Sequence, residues 1–445
     1  MASAARPDDI PEDARLSGAR LNYRAILILF CCADFPSALA QQPKPPSAPD
    51  VPALVRTAQE ALGQKDYAAA VKALKAVVET QPESPAAWFS LGYAYTGLHQ
   101  DAEAVQAYRK ALELTPELFE ARLNLGILLL QMKEPRSALE HLEEAVKLKP
   151  DHARAHLYLG RALSLADHPE AAQKQFQEAL RLDPQIAIAH FDLGQLYLQQ
   201  KRYPDALPEF QKSVELDATL AQAQLGWALA CEGQKDLAQA VHHFEQYLAA
   251  KPDDLETRFH LARLYLQEGN NEKALESLQA VYRAQPATPG LAAALGDVHA
   301  LLKKLPESEK FYREALAASA GEPELHRALG RTLLDEEKFA AAEAEFRAAL
   351  KLDPHSREAA KGLATSLYLQ KRYPEAIPVL EALARGPDAP AILFFTLASS
   401  YDHLRDRERA LKEYEHFLAL SHGVNPTQEW QAEQRAKLLR RELQK

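Results

Sequence analysis

Written in rows of 34 residues from Val51, the chain repeats one pattern of apolar, small and polar positions, and nothing breaks the phase before about Val424. Apolar residues at columns four, seven, eight and eleven fall at the spacing that lines one face of a helix. Those at columns twenty, twenty-four and twenty-seven line one face of a second. Column twenty is small in all eleven rows: Ala70, Ala104, Ala138, Ala172, Ala206, Ala240, Ala274, Ser308, Ala342, Ala376 and Ala410. Column twenty-four is large and apolar throughout, from Leu74 and Tyr108 through Phe210 to Leu380 and Tyr414. Small residues at columns eight and twenty let two helix backbones approach where they cross. Proline at column thirty-two, as at Pro82, Pro116, Pro150, Pro184, Pro252, Pro286 and Pro354, stops the second helix, because it lacks a backbone donor and disfavours helix in its predecessor.

Each row is therefore expected to be a helical hairpin. One hairpin cannot bury both of its faces, so each must lean on the next, and a constant rotation per unit winds the stack into a superhelix. The expected fold is all-α: an α-α superhelix of about eleven hairpins over residues 51–424, closed by a capping helix over 425–445. That last helix is expected to start with Asn425 as its cap and Pro426 at its first position, with a thin apolar stripe of Ala432, Ala436, Leu439 and Leu443.

The same columns resemble the tetratricopeptide repeat. Leu-Gly stands at columns seven and eight in Leu91-Gly92, Leu125-Gly126, Leu159-Gly160, Leu193-Gly194, Leu295-Gly296 and Leu329-Gly330. The row from Pro85 fits best, with Trp88, Leu91, Gly92, Tyr95, Ala104, Tyr108, Ala111 and Pro116. The resemblance covers about five-sixths of the chain and implies a non-catalytic scaffold whose first helices line a concave wall that holds segments of other proteins.

Within that resemblance, columns five and nine point into the wall. They supply Phe89, Tyr93, Leu123, Ile127, Leu157, Arg161, Phe191, Phe259, Arg263, Arg327, Arg331 and Lys361 as candidate partner-binding residues. The stripe is apolar early and cationic late, which suits an extended or helical peptide with apolar anchors and acidic groups directed at Arg263, Arg327, Arg331 and Lys361. Column five is also a packing position in this family. Asn124 is the one asparagine at columns six and nine, so neither a carboxylate clamp nor the asparagine ladder of sugar-transferring relatives is carried over.

Composition narrows the partners. A formal net charge of −10 disfavours a general attraction to nucleic-acid phosphates. Phosphate-binding glycine loops, zinc helices, calcium loops and paired Cys-x-x-Cys sites are absent from the sequence, so no catalytic residue, cofactor or metal is expected. His152 and His156 stand four apart but across a row boundary, and Cys231 occupies a core column.

Residues 1–40 read as a secretory signal peptide with an N-terminal extension. Arg20 and Arg24 precede the apolar run 25–33, and small residues lead to cleavage after Ala40. That run is too short to span a bilayer, which needs about 20 apolar residues. Residues 41–50 follow as a proline-rich linker. Export to the periplasm or exterior of a bacterium is the leading expectation, with a cytoplasmic co-chaperone-like adaptor, or a targeting subunit that docks a separate enzyme, as alternatives. The oligomeric state stays open.

Overall fold

A computed structural model describes residues 50–386 and 389–444. The expected signal peptide and all but the last residue of the expected linker lie outside the described residues. All regular elements among the described residues are helices, twenty-three in number. In chain order they are α1 (Val51–Gly63), α2 (Tyr67–Thr80), α3 (Pro85–Gly97), α4 (Asp101–Leu114), α5 (Phe119–Gln131), α6 (Pro135–Leu148), α7 (Ala153–Leu165) and α8 (Pro169–Leu182). There follow α9 (Ala187–Gln199), α10 (Tyr203–Leu216), α11 (Ala221–Gly233), α12 (Leu237–Ala250), α13 (Leu255–Gln267), α14 (Asn271–Ala284), α15 (Leu291–Leu301) and α16 (Leu305–Ala318). The array ends with α17 (Pro323–Asp335), α18 (Phe339–Leu352), α19 (Arg357–Leu369), α20 (Tyr373–Ala384), α21 (Ala391–His403), α22 (Arg407–Ser421) and α23 (Pro426–Leu443). Each row is one hairpin, as its pattern predicts, and most second helices end two residues ahead of column thirty-two.

The core lies between the two helices of each hairpin and the first helix of the next. Every column-twenty residue from Ala70 to Ala410 is fully buried. At Ser308, the one departure from alanine, the hydroxyl donates to the Gly296 carbonyl at 2.9 Å, so burial leaves no unpaired polar group there. Column twenty-four supplies the bulk. Phe210 is wholly buried, and a Cβ built on Gly194 or Gly226 would fall 2.9 Å and 2.4 Å from its ring. The ring thus fills the space left by two glycines on successive first helices, α9 and α11.

The turn inside each hairpin follows one geometry. Column fifteen is left-handed in all eleven rows, with φ from 58° at Lys201 to 77° at Gly269, and it is lysine at 65, 133, 201, 235, 303 and 371. The next amide reaches back to the carbonyl five residues earlier, as Arg202 does to Tyr197 at 2.8 Å, which satisfies the helix end. Glycine tolerates this backbone without strain and lysine does not. Lys201→Gly is therefore expected to stabilise the array by a few tenths to ~1 kcal/mol, read as a raised thermal midpoint.

Column four carries a second recurrent device. Trp88 Nε1 donates to the Pro82 carbonyl at 2.7 Å, Arg122 Nε to Pro116 at 3.0 Å and Arg258 Nη2 to Pro252 at 3.0 Å. His156 and His190 place Nε2 2.9 Å and 3.2 Å from the carbonyls of Pro150 and Pro184. Each spans six residues, so chemically different side chains tie the loop between hairpins to the helix that follows it.

At the C-terminal end α23 packs on α22 through Ala432, Ala436 and Leu439. Asn425 takes the cap position, but its side chain makes no cap hydrogen bond; its amide donates to Ser421 Oγ at 3.1 Å. Glu429 does the capping instead, its carboxylate accepting from the backbone N–H groups of Gly423 at 2.9 Å and Asn425 at 3.2 Å. A full negative charge near a helix N-terminus is the stronger partner for those donors.

Candidate partner-binding groove

Curvature identifies the inner wall. First helices approach their counterparts in the next row, as in α3 with α5, α9 with α11 and α17 with α19, whereas second helices make no approach of that extent. In a bent stack the elements that meet across repeats lie on the inside, so the first helices form the concave side.

The candidate residues divide by exposure. Leu123 and Leu157 are buried, at 7% and 2% exposure, and contribute to packing in this structure. Phe89, Tyr93, Ile127, Phe191 and Phe259 are half-buried. Their rings rest on the array while part of each stays open: Phe89 stands 5.9 Å from Tyr108, Tyr93 6.3 Å from Tyr67 and Phe191 6.2 Å from Phe210. Arg263 and Arg331 are exposed, and Arg327 and Lys361 are partly so.

The cations differ in what they meet. Column nine of one row faces column six of the next, 31 residues on, and Arg161 there finds Asp192. Its Nε lies 2.5 Å from Oδ2 and its Nη2 3.3 Å from Oδ1, with both side chains mostly buried. Burial pushes the Asp192 carboxyl up and the guanidinium pulls it back. Arg161 is thereby committed to an internal pair, and Asp192, a residue the column pattern left unmarked, is the reason. The corresponding positions opposite Arg263 and Arg331 are Ala294 and Gly362, which carry no charge. Among the described residues neither arginine forms an ion pair.

Arg327, Arg331 and Lys361 form one cluster around Glu358. Lys361 Nζ donates to Glu358 Oε1 at 2.8 Å, and Lys361 first, then Arg327 and Arg331, hold that carboxyl below its ordinary range. Three cations against one carboxylate leave this stretch positive in a chain whose net charge is −10. Asp297, on the helix between Arg263 and Arg331, is engaged by a neighbouring tyrosine. It accepts from Tyr312 Oη at 2.6 Å, and burial pushes its carboxyl up.

The other groups noted in the sequence are engaged structurally. His152 caps α7, its Nδ1 accepting from Ala155 N–H at 3.2 Å, while His156 Nδ1 lies 2.7 Å from Gln175 Oε1. Cys231 is buried, and burial, then Asp236, pushes its thiol up to about 11. No cluster of three or more metal-ligating side chains occurs among the described residues, and no helix among them is long and apolar enough to cross a membrane.

Family models described as tetratricopeptide repeat match residues 55–118, 166–221 and 327–390, residues 233–295, and residues 117–185. The chain belongs to the tetratricopeptide-repeat family, and as such is a protein-interaction scaffold. The human protein O-mannosyl-transferase TMTC2 is 30% identical over 99 residues, a match spanning 22% of this chain and only 12% of that protein's length. Among solved structures, MamA is 26% identical with a TM-score of 0.36, covering 39% of this chain and 96% of its own. Pseudomonas aeruginosa PilF is 22% identical with a TM-score of 0.42, covering 47% and 95%. Yeast Tom70 is 16% identical with a TM-score of 0.34, covering 88% and 96%.

Proposed function

We propose that the chain is a non-catalytic adaptor, exported to the bacterial cell envelope, whose concave wall holds a segment of a partner protein. The segment lies extended or as a helix, with apolar side chains on Phe191 and Phe259 and acidic side chains at Arg263, Arg327, Arg331 and Lys361. One observation carries this reading: the neutral residues Ala294 and Gly362 stand where Asp192 stands opposite Arg161, so Arg263 and Arg331 keep their charge for a guest. A planar guanidinium binds a carboxylate through two parallel hydrogen bonds, which gives both strength and orientation. The leader over residues 1–40 supports the envelope location.

Affinity capture followed by peptide mapping tests the groove. The double substitution Arg327→Glu and Arg331→Glu is expected to lower partner affinity at least about tenfold and to flatten its salt dependence, with helicity unchanged. Ala294→Asp should act in the same direction by giving Arg263 an internal partner. Capture that is indifferent to all three changes would sink the groove reading. N-terminal sequencing of the chain from an expressing bacterium is expected to begin at Gln41; an intact Met1 in the cytoplasm would sink the export reading.

A further inference from the structure

The end of a solenoid needs a polar cover, and on α23 that cover is incomplete. Six of the eleven exposed large apolar side chains among the described residues lie beyond residue 400 (Leu404, Leu420, Val424, Trp430, Leu438 and Leu443), while none lies in α1 to α6. Exposed large apolar side chains are therefore concentrated towards this end of the array. α23 turns Ala432, Ala436 and Leu439 onto α22 and presents its opposite face, with Trp430, Gln434, Lys437, Leu438 and Arg441 within one stripe at helical spacing. Trp430 is 64% exposed and Leu438 47%. No helix among the described residues packs on that side.

We propose that this face pairs with the same face of a second copy of the chain, the two α23 helices running antiparallel about a twofold axis at Gln434. Trp430 and Leu438 stand four residues to either side of Gln434, so in that register the indole of one copy meets Leu438 of the other, twice. Glu433 and Lys437 share one flank, and the symmetry brings Glu433 of one copy to within about two residues, ~3 Å along the axis, of Lys437 of the other. Neither forms an ion pair within the chain among the described residues, so both are available. Lys437 and Arg441 fall level with Gln431 and Thr427, and although Glu433 comes as near along the axis to its own counterpart as to Lys437, two attractive approaches stand against that one repulsive approach. A parallel pair would set Lys437 on Lys437 and Arg441 on Arg441, which costs binding energy. The antiparallel contact is closed and self-complementary, so it stops at two copies.

Sedimentation velocity of the full chain at rising concentration tests this, with Trp430 emission as a second readout. The wild type is expected to pass reversibly from monomer to dimer, with a blue shift of Trp430 fluorescence. Trp430→Glu and Leu438→Glu are each expected to raise the dissociation constant at least about tenfold while leaving helicity and thermal midpoint in place, since both side chains are largely exposed. Glu433→Lys or Lys437→Glu alone should weaken the dimer, and the two together should restore it. A chain that is monomeric at every concentration overturns the proposal, as does a dimer that survives both Trp430→Glu and Leu438→Glu. A charge swap that fails to restore association overturns the antiparallel register. Trp430-dependent binding of the monomer to anionic phosphatidylserine vesicles, without self-association, would give the face to a membrane surface and overturn it too.

Discussion

Phe210→Ala is expected to destabilise the middle of the array by about 3–5 kcal/mol, the cost of emptying a buried aromatic site that its surroundings cannot close. The walls cannot move in cheaply. Gly194 and Gly226 already have no side chain with which to fill the space the ring leaves. Because each repeat touches little beyond its neighbours, the loss should be local. Hydrogen exchange is expected to accelerate in α9, α10 and α11 and to stay near wild type in α1 to α4 and α19 to α22. Uniform acceleration along the chain would contradict the nearest-neighbour picture.

Acidification is expected to remove up to about 3 kcal/mol of stability through His243 alone. The ring is buried at 5% exposure and stacks on Trp227 with centroids 3.9 Å apart. Its Nδ1 lies 2.8 Å from Gln224 Oε1, while Nε2 has no hydrogen-bond partner among the described residues. Burial first, then the neighbouring His242, holds its pKa down to about 4 from an ordinary 6.5. Above pH 6.5 the ring is neutral in both states and this stability is intact. As pH falls from 6.5 towards 4 the unfolded chain takes up the proton that the folded chain refuses, and the contribution drains away over that window. His141, His152 and His299 are also held low, chiefly by burial, and act with the same sign. Urea unfolding at several pH values should show a shallower acid loss for His243→Gln, which keeps a polar partner for Gln224 but does not titrate. Parallel losses in wild type and variant would place the acid sensitivity elsewhere.

The hairpins and their order were legible because packing demands leave a mark in every row. A fully buried column-twenty site admits only alanine or serine, and the glycines near Phe210 have no room for a Cβ. The left-handed turn was hidden, since lysine at column fifteen is not the residue that its backbone favours. The loop ties of column four were hidden as well, because tryptophan, arginine and histidine share a donor position but not a hydropathy. In the groove, residue type alone did not separate Arg161 from Arg263 and Arg331. That distinction depends on what stands 31 residues later, a relation visible only when adjacent first helices are set side by side. Leu123 and Leu157 likewise share column five with Phe191 and Phe259, and exposure alone tells them apart.

The succession of hairpins, each seated mainly on the one before, has a mechanical corollary. Interfaces arranged in series add their compliances, so a slight rotation at every seam accumulates along the length without breaking any one of them. The inner wall can thus change its radius to embrace a thicker or thinner cargo at little energetic cost. A side chain in place of Gly226 would collide with the Phe210 ring and loosen one link of that spring, while the remaining links kept their play.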